Sequence, residues 1–164
     1  MKKNVKILIV VLSLLVGCSL GNTPTSKTEE LLSNYQMNKN NISVSYTYLT
    51  NDTNISSDII KKYEDAIRKQ YRDMSYEIKD EEIDGDTAVV TIEIEVMDFG
   101  KAINKYNKSE YESARYHELI TKELENTKEM ITYTLDITLT KDEKDKWVVD
   151  DLSLENRDKL LGIY

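Results

Sequence analysis

Residues 87–96, TAVVTIEIEV, decide the fold class, because apolar and polar side chains alternate along them. Successive side chains of a β-strand point to opposite faces of the sheet. The pattern therefore predicts a strand with one face in the core and the other in water. The predicted core face carries Ala88, Val90, Ile92, Ile94 and Val96, and the predicted wet face carries Thr91, Glu93 and Glu95.

A hairpin is predicted immediately before this strand. Residues 84–86, Asp-Gly-Asp, contain the glycine that supplies a positive φ in a tight hairpin turn. Tyr76 and Ile78 have one parity and Ile83 has the other, so all three can face the core only if a bulge intervenes. We place that bulge within residues 79–82.

A second pair of strands is predicted later in the chain. Alternation returns over residues 131–139, and a charged turn at residues 141–145 leads to a last strand at residues 146–152. The predicted core face of the first of these strands carries Ile131, Tyr133, Leu135, Ile137 and Leu139.

Helical periodicity predicts two helices before the sheet. Ser26 and Glu29 match a capping box, which starts a first helix that runs to about Met37. Residues 38–57 are rich in Asn, Ser and Thr and are interpreted as a loop with a short extended piece. A cap at Ser57 then starts a second helix that ends near Arg72.

Further helical segments are predicted at residues 101–106 and 110–128, and Ser153 caps a short helix toward Leu161. The whole pattern predicts an α+β fold with an antiparallel sheet of about four strands.

The N-terminal segment has the pattern of a secretory signal peptide. Lys2, Lys3 and Lys6 precede an apolar run over residues 7–16. A run of about ten residues is too short for a hydrocarbon core of roughly 30 Å, so a permanent transmembrane helix is the weaker interpretation.

Residues 15–18, Leu-Val-Gly-Cys, resemble the lipobox of bacterial lipoproteins. The resemblance implies that Cys18 receives a diacylglyceryl group and becomes the first residue after cleavage; the alternative is an ordinary signal peptide with an incidental cysteine. It divides the chain into a signal peptide at 1–17, a lipidated cysteine and tether at 18–26, and one domain at 27–164. The protein is then held on the outer side of the cytoplasmic membrane, with the membrane as its partner through Cys18.

A second resemblance concerns the domain. Its helix and strand patterns resemble the NTF2-like, cystatin-like folds of small bacterial lipoproteins at Leu31, Leu32, Tyr35 and Tyr71 and at residues 76–78, 83–90, 139–141 and 147–152. The resemblance implies helices packed in the concave side of a strongly curved antiparallel sheet, a cone-like arrangement. The long helical segment between Phe99 and Met130 departs from the tight connection that is usual there.

Composition excludes several function classes. The 164 residues carry a net charge of -8, which argues against a nucleic-acid surface. A single Cys excludes an internal disulfide, and a single His, His117, excludes a multi-histidine zinc centre. The acidic residues of 80–86 and 142–145 lack the EF-hand ligand spacing, so we expect neither a metal nor a cofactor.

Two sets of side chains are candidates for chemistry or binding. His117 could act as a general base with a nearby carboxylate, but its spacing from Ile120 and Leu124 predicts a histidine at the edge of the apolar stripe. No nucleophile motif accompanies it, so we do not expect an enzyme. The candidate ligand-binding residues are His117 and the aromatic residues Tyr63, Tyr71, Tyr133 and Trp147, with Tyr76 beside them; the alternative is that the 11 tyrosines reflect compositional bias.

The function that we expect is a non-enzymatic module that binds a ligand or partner on the concave face of the sheet, anchored outside the membrane. The alternatives are an immunity or surface-exclusion lipoprotein and a small NTF2-like enzyme that uses His117.

Overall fold

The chain folds into helices packed on one antiparallel sheet, and the structure, a computed structural model, describes residues 21–39, 42, 45, 50 and 55–164. The predicted signal peptide and Cys18 lie outside the described residues. The elements, in chain order, are α1 (Pro24–Gln36), α2 (Ser57–Asp73), β1 (Ser75–Asp84), β2 (Thr87–Met97), α3 (Phe99–Ile103), a 3₁₀ turn (Lys108–Glu110), α4 (Ser113–Asn126), β3 (Met130–Lys141), β4 (Trp147–Val149) and α5 (Leu154–Leu161).

The sheet has four strands in the order β1-β2-β3-β4, and every neighbouring pair is antiparallel. β2 pairs with β3 along its whole length, from Thr87 opposite Thr140 to Met97 opposite Met130. The α+β class and the four-stranded antiparallel sheet are therefore confirmed. The curvature of the sheet is consistent with the NTF2-like resemblance.

The predicted bulge in β1 is confirmed. Its register against β2 shifts between Ile78 and Asp80, so that the intervening Lys79 is the extra residue. The shift places Ile83 opposite Ala88, on the core face, as the parity argument required. Its side chain is nevertheless 54% exposed, because it lies on an edge strand next to the turn.

One face of the sheet is filled by the main hydrophobic core. The helices α1, α2 and α5 cover this face and contribute Leu32, Ile67 and Leu160, all fully buried. Each such side chain contributes about 1.5–3 kcal/mol through burial. The sheet side chains beneath them are Val90, Ile92, Ile94, Val96, Leu135, Ile137 and Leu139.

The helical segment between β2 and β3 builds a second core beside the first. α3 and α4 pack together and against α2, and Phe99, Ile120 and Leu124 are fully buried between them. This segment therefore makes its own apolar contacts instead of being a tight connection between the two strands.

The start of α1 differs from the prediction. The helix begins at Pro24, and the capping box joins Thr23 to Ser26 instead of Ser26 to Glu29. Thr23 Oγ1 accepts from the Ser26 amide at 3.1 Å, and Ser26 Oγ accepts from the Thr23 amide at 3.0 Å. Proline at the first helical position is already fixed at a helical φ, so it sets the start. Residues 24–26, predicted as part of the tether, are helical.

The segment between α1 and α2 also differs from the prediction where it is described. Ile42, Ser45 and Thr50 have helical backbone, whereas a loop with an extended piece was expected. Ile42 and Thr50 are buried, and Ser45 Oγ lies 3.2 Å from Tyr71 Oη, so tertiary contacts outweigh the weak helix propensity of this polar stretch. The other apolar residues of this segment, Val44, Tyr46, Tyr48 and Leu49, lie outside the described residues.

β3 extends well past β4, and α5 covers the edge that this leaves. β4 pairs only with residues 139–141. Beyond them, the carbonyl of Thr134 accepts from Lys159 Nζ at 2.9 Å, and that of Asp136 accepts from Asn156 Nδ2 at 2.8 Å. The next outward carbonyl, on Thr138, accepts from the Asp150 amide at 3.0 Å. These bonds satisfy an edge that would otherwise pair with another chain.

The outer edge of β4 is covered by Asn22, which lies two residues before the start of α1. The side-chain amide of Asn22 donates to the Trp147 carbonyl at 3.1 Å and accepts from the Trp147 amide. One carboxamide thus replaces a neighbouring strand at this position. We call this contact the Asn22–Trp147 clasp.

Candidate functional site

Tyr63 and His117 are the two predicted site residues that the fold brings together. Tyr63 projects from α2 and His117 from α4, and Tyr63 Oη lies 2.9 Å from His117 Nδ1. The ring of Tyr116 lies edge-on to the imidazole, with 5.2 Å between centroids. The pair is a buried polar contact between two helices.

The expectation that His117 lies at the edge of the apolar stripe is wrong. Its side chain is 1% exposed, and Thr121, one turn later, is also fully buried. α4 packs against both α2 and α3, so its buried face is wider than a stripe counted from apolar residues alone.

A small cavity of about 50 Å³ adjoins the imidazole. Its lining includes Thr50, Lys108 and Ile103. This volume suits one or two water molecules, whereas small-molecule sites measure about 300–1,000 Å³. The described residues around His117 leave no room for a substrate.

Tyr71, Tyr133 and Trp147 lie in three other places. Tyr71 is in the main core, where its ring meets Tyr35 edge-on at 4.9 Å, and burial raises the pKa of its hydroxyl. Tyr133 Oη donates to the Tyr164 carbonyl at 2.9 Å. Trp147 is held in the clasp, beneath the ammonium group of Lys141.

These positions do not form the single cavity that the sequence suggested. Tyr76 is half-buried on β1, at the margin of the main core. The face that was expected to hold a ligand is occupied by core side chains from three helices. Core side chains thus fill the face of the sheet on which we expected a ligand.

A cleft of about 700 Å³ lies at the end of the sheet where β2 leads into α3. We call it the α3–α4 cleft. It runs between α3 and the C-terminal end of α4, and sequence reasoning did not identify it. Its lining residues are Asp98, Lys101, Ala102, Asn104, Lys105, Glu123, Asn126, Thr127, Lys128 and Glu129.

Two ion pairs join the opposite walls of the α3–α4 cleft. Lys105 Nζ lies 2.9 Å from Glu123 Oε1, and Lys101 Nζ pairs with Glu129. Tyr106 Oη also donates to Glu123 Oε1 at 3.1 Å. Lys101 on α3 and Lys105 in the turn after it are thus matched by two glutamates at and just beyond the end of α4.

These ion pairs move the pKa values of their members away from neutrality. The hydrogen bond from Lys105 lowers the pKa of Glu123, and the bond to Glu123 raises the pKa of Lys105. The bond to Glu129 likewise raises the pKa of Lys101. General acids and bases work best with pKa values near the working pH, so these groups suit the binding of charge better than proton transfer.

The cleft lining offers no activated nucleophile. Its one hydroxyl, on Thr127, donates to the backbone carbonyl of Glu123 within the same helix at 2.8 Å. Within residues 21–39, 42, 45, 50 and 55–164, no group of three or more His, Cys, Asp or Glu side chains is placed to hold a metal ion. In the same part of the chain, no helix has the length and apolar character needed to cross a bilayer.

Comparison with known proteins gives a structural likeness at low sequence identity. No protein-family model matches the sequence, and no curated protein matches it. The chain is similar to the crystal structure of ycdA from Bacillus subtilis subsp. subtilis str. 168, a protein proposed to be a lipoprotein, with a TM-score of 0.47 and 14% sequence identity. The match covers 81% of this chain and 45% of that one, so this chain spans less than half of that protein's length.

Proposed function

We propose that this chain is a membrane-anchored extracytoplasmic lipoprotein whose domain binds a ligand or partner, without catalysis, through the α3–α4 cleft. The observation that carries the binding role is the cleft itself. Its volume of about 700 Å³ falls within the range of known ligand sites, and both walls present charged side chains.

The chemistry of the cleft favours binding over catalysis. Lys101, Lys105 and Glu123 are charged at neutral pH, and the shifts in their pKa values move all three further from proton exchange in that range. A ligand with both positive and negative groups can exchange partners with these ion pairs. An enzyme that uses His117 has less support, because the cavity beside the imidazole is of water size.

The N-terminal sequence supports the anchor. Lys2, Lys3 and Lys6, the apolar run and Cys18 together match a lipoprotein signal. Two acyl chains are about what stable attachment requires. Cleavage before Cys18 leaves 147 residues with 19 basic and 30 acidic side chains, a net charge of -11 that anionic lipid repels. The acyl chains on Cys18 must therefore supply the attachment to the membrane.

The substitution Cys18→Ala tests the anchor. We expect wild-type protein in the detergent phase and the variant in the aqueous phase or unprocessed, because each buried methylene of the lipid contributes about 0.8 kcal/mol. Detergent partitioning and intact mass measure this, with Ser19→Ala as the neighbouring control. Identical partitioning of wild type and Cys18→Ala, with a mass difference no larger than the substitution itself, would refute the anchor.

Charge reversal in the cleft tests the binding role. Immobilised mature domain is incubated with envelope extract, and retained molecules are identified by mass spectrometry. We expect the double variant Lys101→Glu, Lys105→Glu to lose a molecule that wild type retains. The control is Lys122→Glu on the exposed side of α4, outside the cleft. Equal retention by all three folded proteins, or no retention at all, counts against binding through this cleft.

A further inference from the structure

We infer that the anchored domain stands with its β1–β2 and β3–β4 turns toward the bilayer and presents the α3–α4 cleft away from it. The inference rests on the lipid anchor of the proposed function. It assigns one end of the domain to the lipid surface and the opposite end to ligands or partners.

The Asn22–Trp147 clasp fixes the point where the chain leaves the domain. Both hydrogen bonds of the Asn22 carboxamide go to the backbone of Trp147. Just after the clasp, the amide and hydroxyl of Thr25 donate to Glu81 Oε2 at 2.9 and 2.6 Å, which holds the start of α1 against β1. The described chain therefore begins beside β4, and we infer that the tether leaves the domain there.

Trp147 lies at the end of the sheet that carries both turns. It is opposite Lys141 in the β3–β4 register. The Lys141 amide donates to the Asp86 carbonyl at 2.9 Å, and its ammonium group lies 3.2 Å from the Asp86 carboxylate. The exit point is thus level with the Gly85–Asp86 turn.

The α3–α4 cleft lies at the other end of the same strands. Met97 and Met130 form the last β2–β3 pair, and the next residue, Asp98, donates its amide to the Glu129 carbonyl at 2.9 Å. Asp98 and Glu129 both line the cleft. From Thr87 to Met97 there are ten residue steps, so the strands separate the turns from the cleft by roughly 33 Å.

The chain between the anchor and the clasp is short. Cys18 and Asn22 are four residues apart in the sequence, which allows at most about 14 Å even when fully extended. The turn end must therefore stay close to the bilayer. Standing on this end keeps the cleft, roughly 33 Å along the strands, away from the lipid.

Energy transfer from the protein to the lipid surface tests the orientation. In lipidated protein the Cys18 sulfur is blocked as a thioether, so one introduced cysteine is the only free thiol. A donor dye is attached at Glu143→Cys in the β3–β4 turn or at Lys128→Cys in the lining of the cleft, both exposed positions. Each protein is reconstituted into vesicles of phosphatidylcholine and phosphatidylglycerol that carry an acceptor dye on the lipid headgroup.

We expect the dye at position 143 to transfer at least about twice as much energy as the dye at position 128, because the strands keep the two roughly 33 Å apart. Lys144→Cys and Glu125→Cys provide a second pair of exposed positions, should either first variant fold poorly. Insertion of about 20 Gly and Ser residues after Leu20, with a root-mean-square length of about 25 Å, should remove the difference.

Equal transfer from the two ends, or stronger transfer from position 128, would overturn the orientation while leaving the anchor intact. Protein that fails to float with the vesicles would instead overturn the anchor, and the orientation with it.

Discussion

Gln70, Met97 and Gly162 meet at the point where α2, β2 and α5 converge. The buried Gln70 side chain accepts from the Met97 amide at 2.8 Å and donates to the carbonyls of Met97 and Leu161 at 2.9 and 3.0 Å. Gly162 follows α5 with a φ of +72° and packs directly against the same carbonyl of Met97. A single glutamine thus satisfies backbone groups of two elements that approach each other closely.

Gly162→Ala should destabilise the protein much more than Gly85→Ala. Both glycines have positive φ, which costs a side chain about 1–2 kcal/mol. A β-carbon at position 162 would lie 2.1 Å from the Met97 oxygen and 2.6 Å from Gln70 Nε2, whereas one at position 85 meets nothing within 4 Å.

We therefore expect a loss of about 1–2 kcal/mol for Gly85→Ala and an additional loss of about 1–3 kcal/mol for Gly162→Ala. Urea unfolding of the mature domain measures both. Equal losses for the two variants would show that Gly162 is not constrained by its neighbours.

At the scale of elements, α5 acts as a cover for the free edge of β3. It offers two side-chain donors to alternate carbonyls of that strand and also buries Leu160 and Leu161 in or beside the main core. Its Lys159 ammonium group is bound at the same time to Glu155 Oε1 at 2.6 Å. The helix therefore combines apolar anchoring with protection of the sheet edge.

Removing the two donors should weaken this cover. The double variant Asn156→Ala, Lys159→Met is expected to lose about 2 kcal/mol of stability, since each hydrogen bond contributes about 0.5–1.5 kcal/mol, and to self-associate through β3. Sedimentation and urea unfolding measure the two effects. Lys159→Arg keeps a cationic donor and serves as the control; a double variant that stays monomeric and as stable as wild type would contradict this role.

Local patterns predicted the strands because apolar side chains that alternate with a period of two residues are visible in the sequence itself. Alternation located β2 and β3, and the parity of Tyr76, Ile78 and Ile83 located the bulge. The start of α1 was placed late because two capping signals compete within four residues, and Pro24 favours the earlier one. The edge contacts of α5 join residues about 20 positions apart, and no local pattern records them.

The candidate site was harder to predict for the same reason. His117 was recognised as a candidate, but its burial depends on α4 being packed between two helices. The cleft arises because Lys101 and Lys105 face Glu123 and Glu129 across a gap between elements. The spacing of four residues between the two lysines was the available signal, and it did not reveal their partners.

At the scale of the whole molecule, buried tyrosines link stability to alkaline pH. Burial is the main cause that raises the pKa of both Tyr35 and Tyr71 above the ordinary value near 10. Ionisation is therefore harder in the folded protein than in the unfolded chain. The stability that these groups contribute is fully present below about pH 10 and is lost as the pH rises above it.

Tyr71→Phe should make stability less dependent on pH in this alkaline range. The variant loses the contact with Ser45, so its stability at neutral pH is lower. It also lacks the Tyr71 hydroxyl, so the ionisation of that group is no longer linked to unfolding. Urea unfolding at several pH values from about 9 to 12 measures the slope. A slope equal to that of wild type would show that Tyr71 does not couple ionisation to unfolding.

The covering of β3 by α5 also has a consequence for how the protein matures. α5 follows β3 and β4 along the chain, so during synthesis, which begins at the N-terminus, the sheet emerges before its cover does. In that interval the carbonyls of Thr134 and Asp136 lack their side-chain donors, and the Gln70 side chain lacks the Leu161 carbonyl as its acceptor. The emerging chain is then most prone to wrong strand pairing just before α5 is made. Docking of α5 is therefore the step that completes the native sheet.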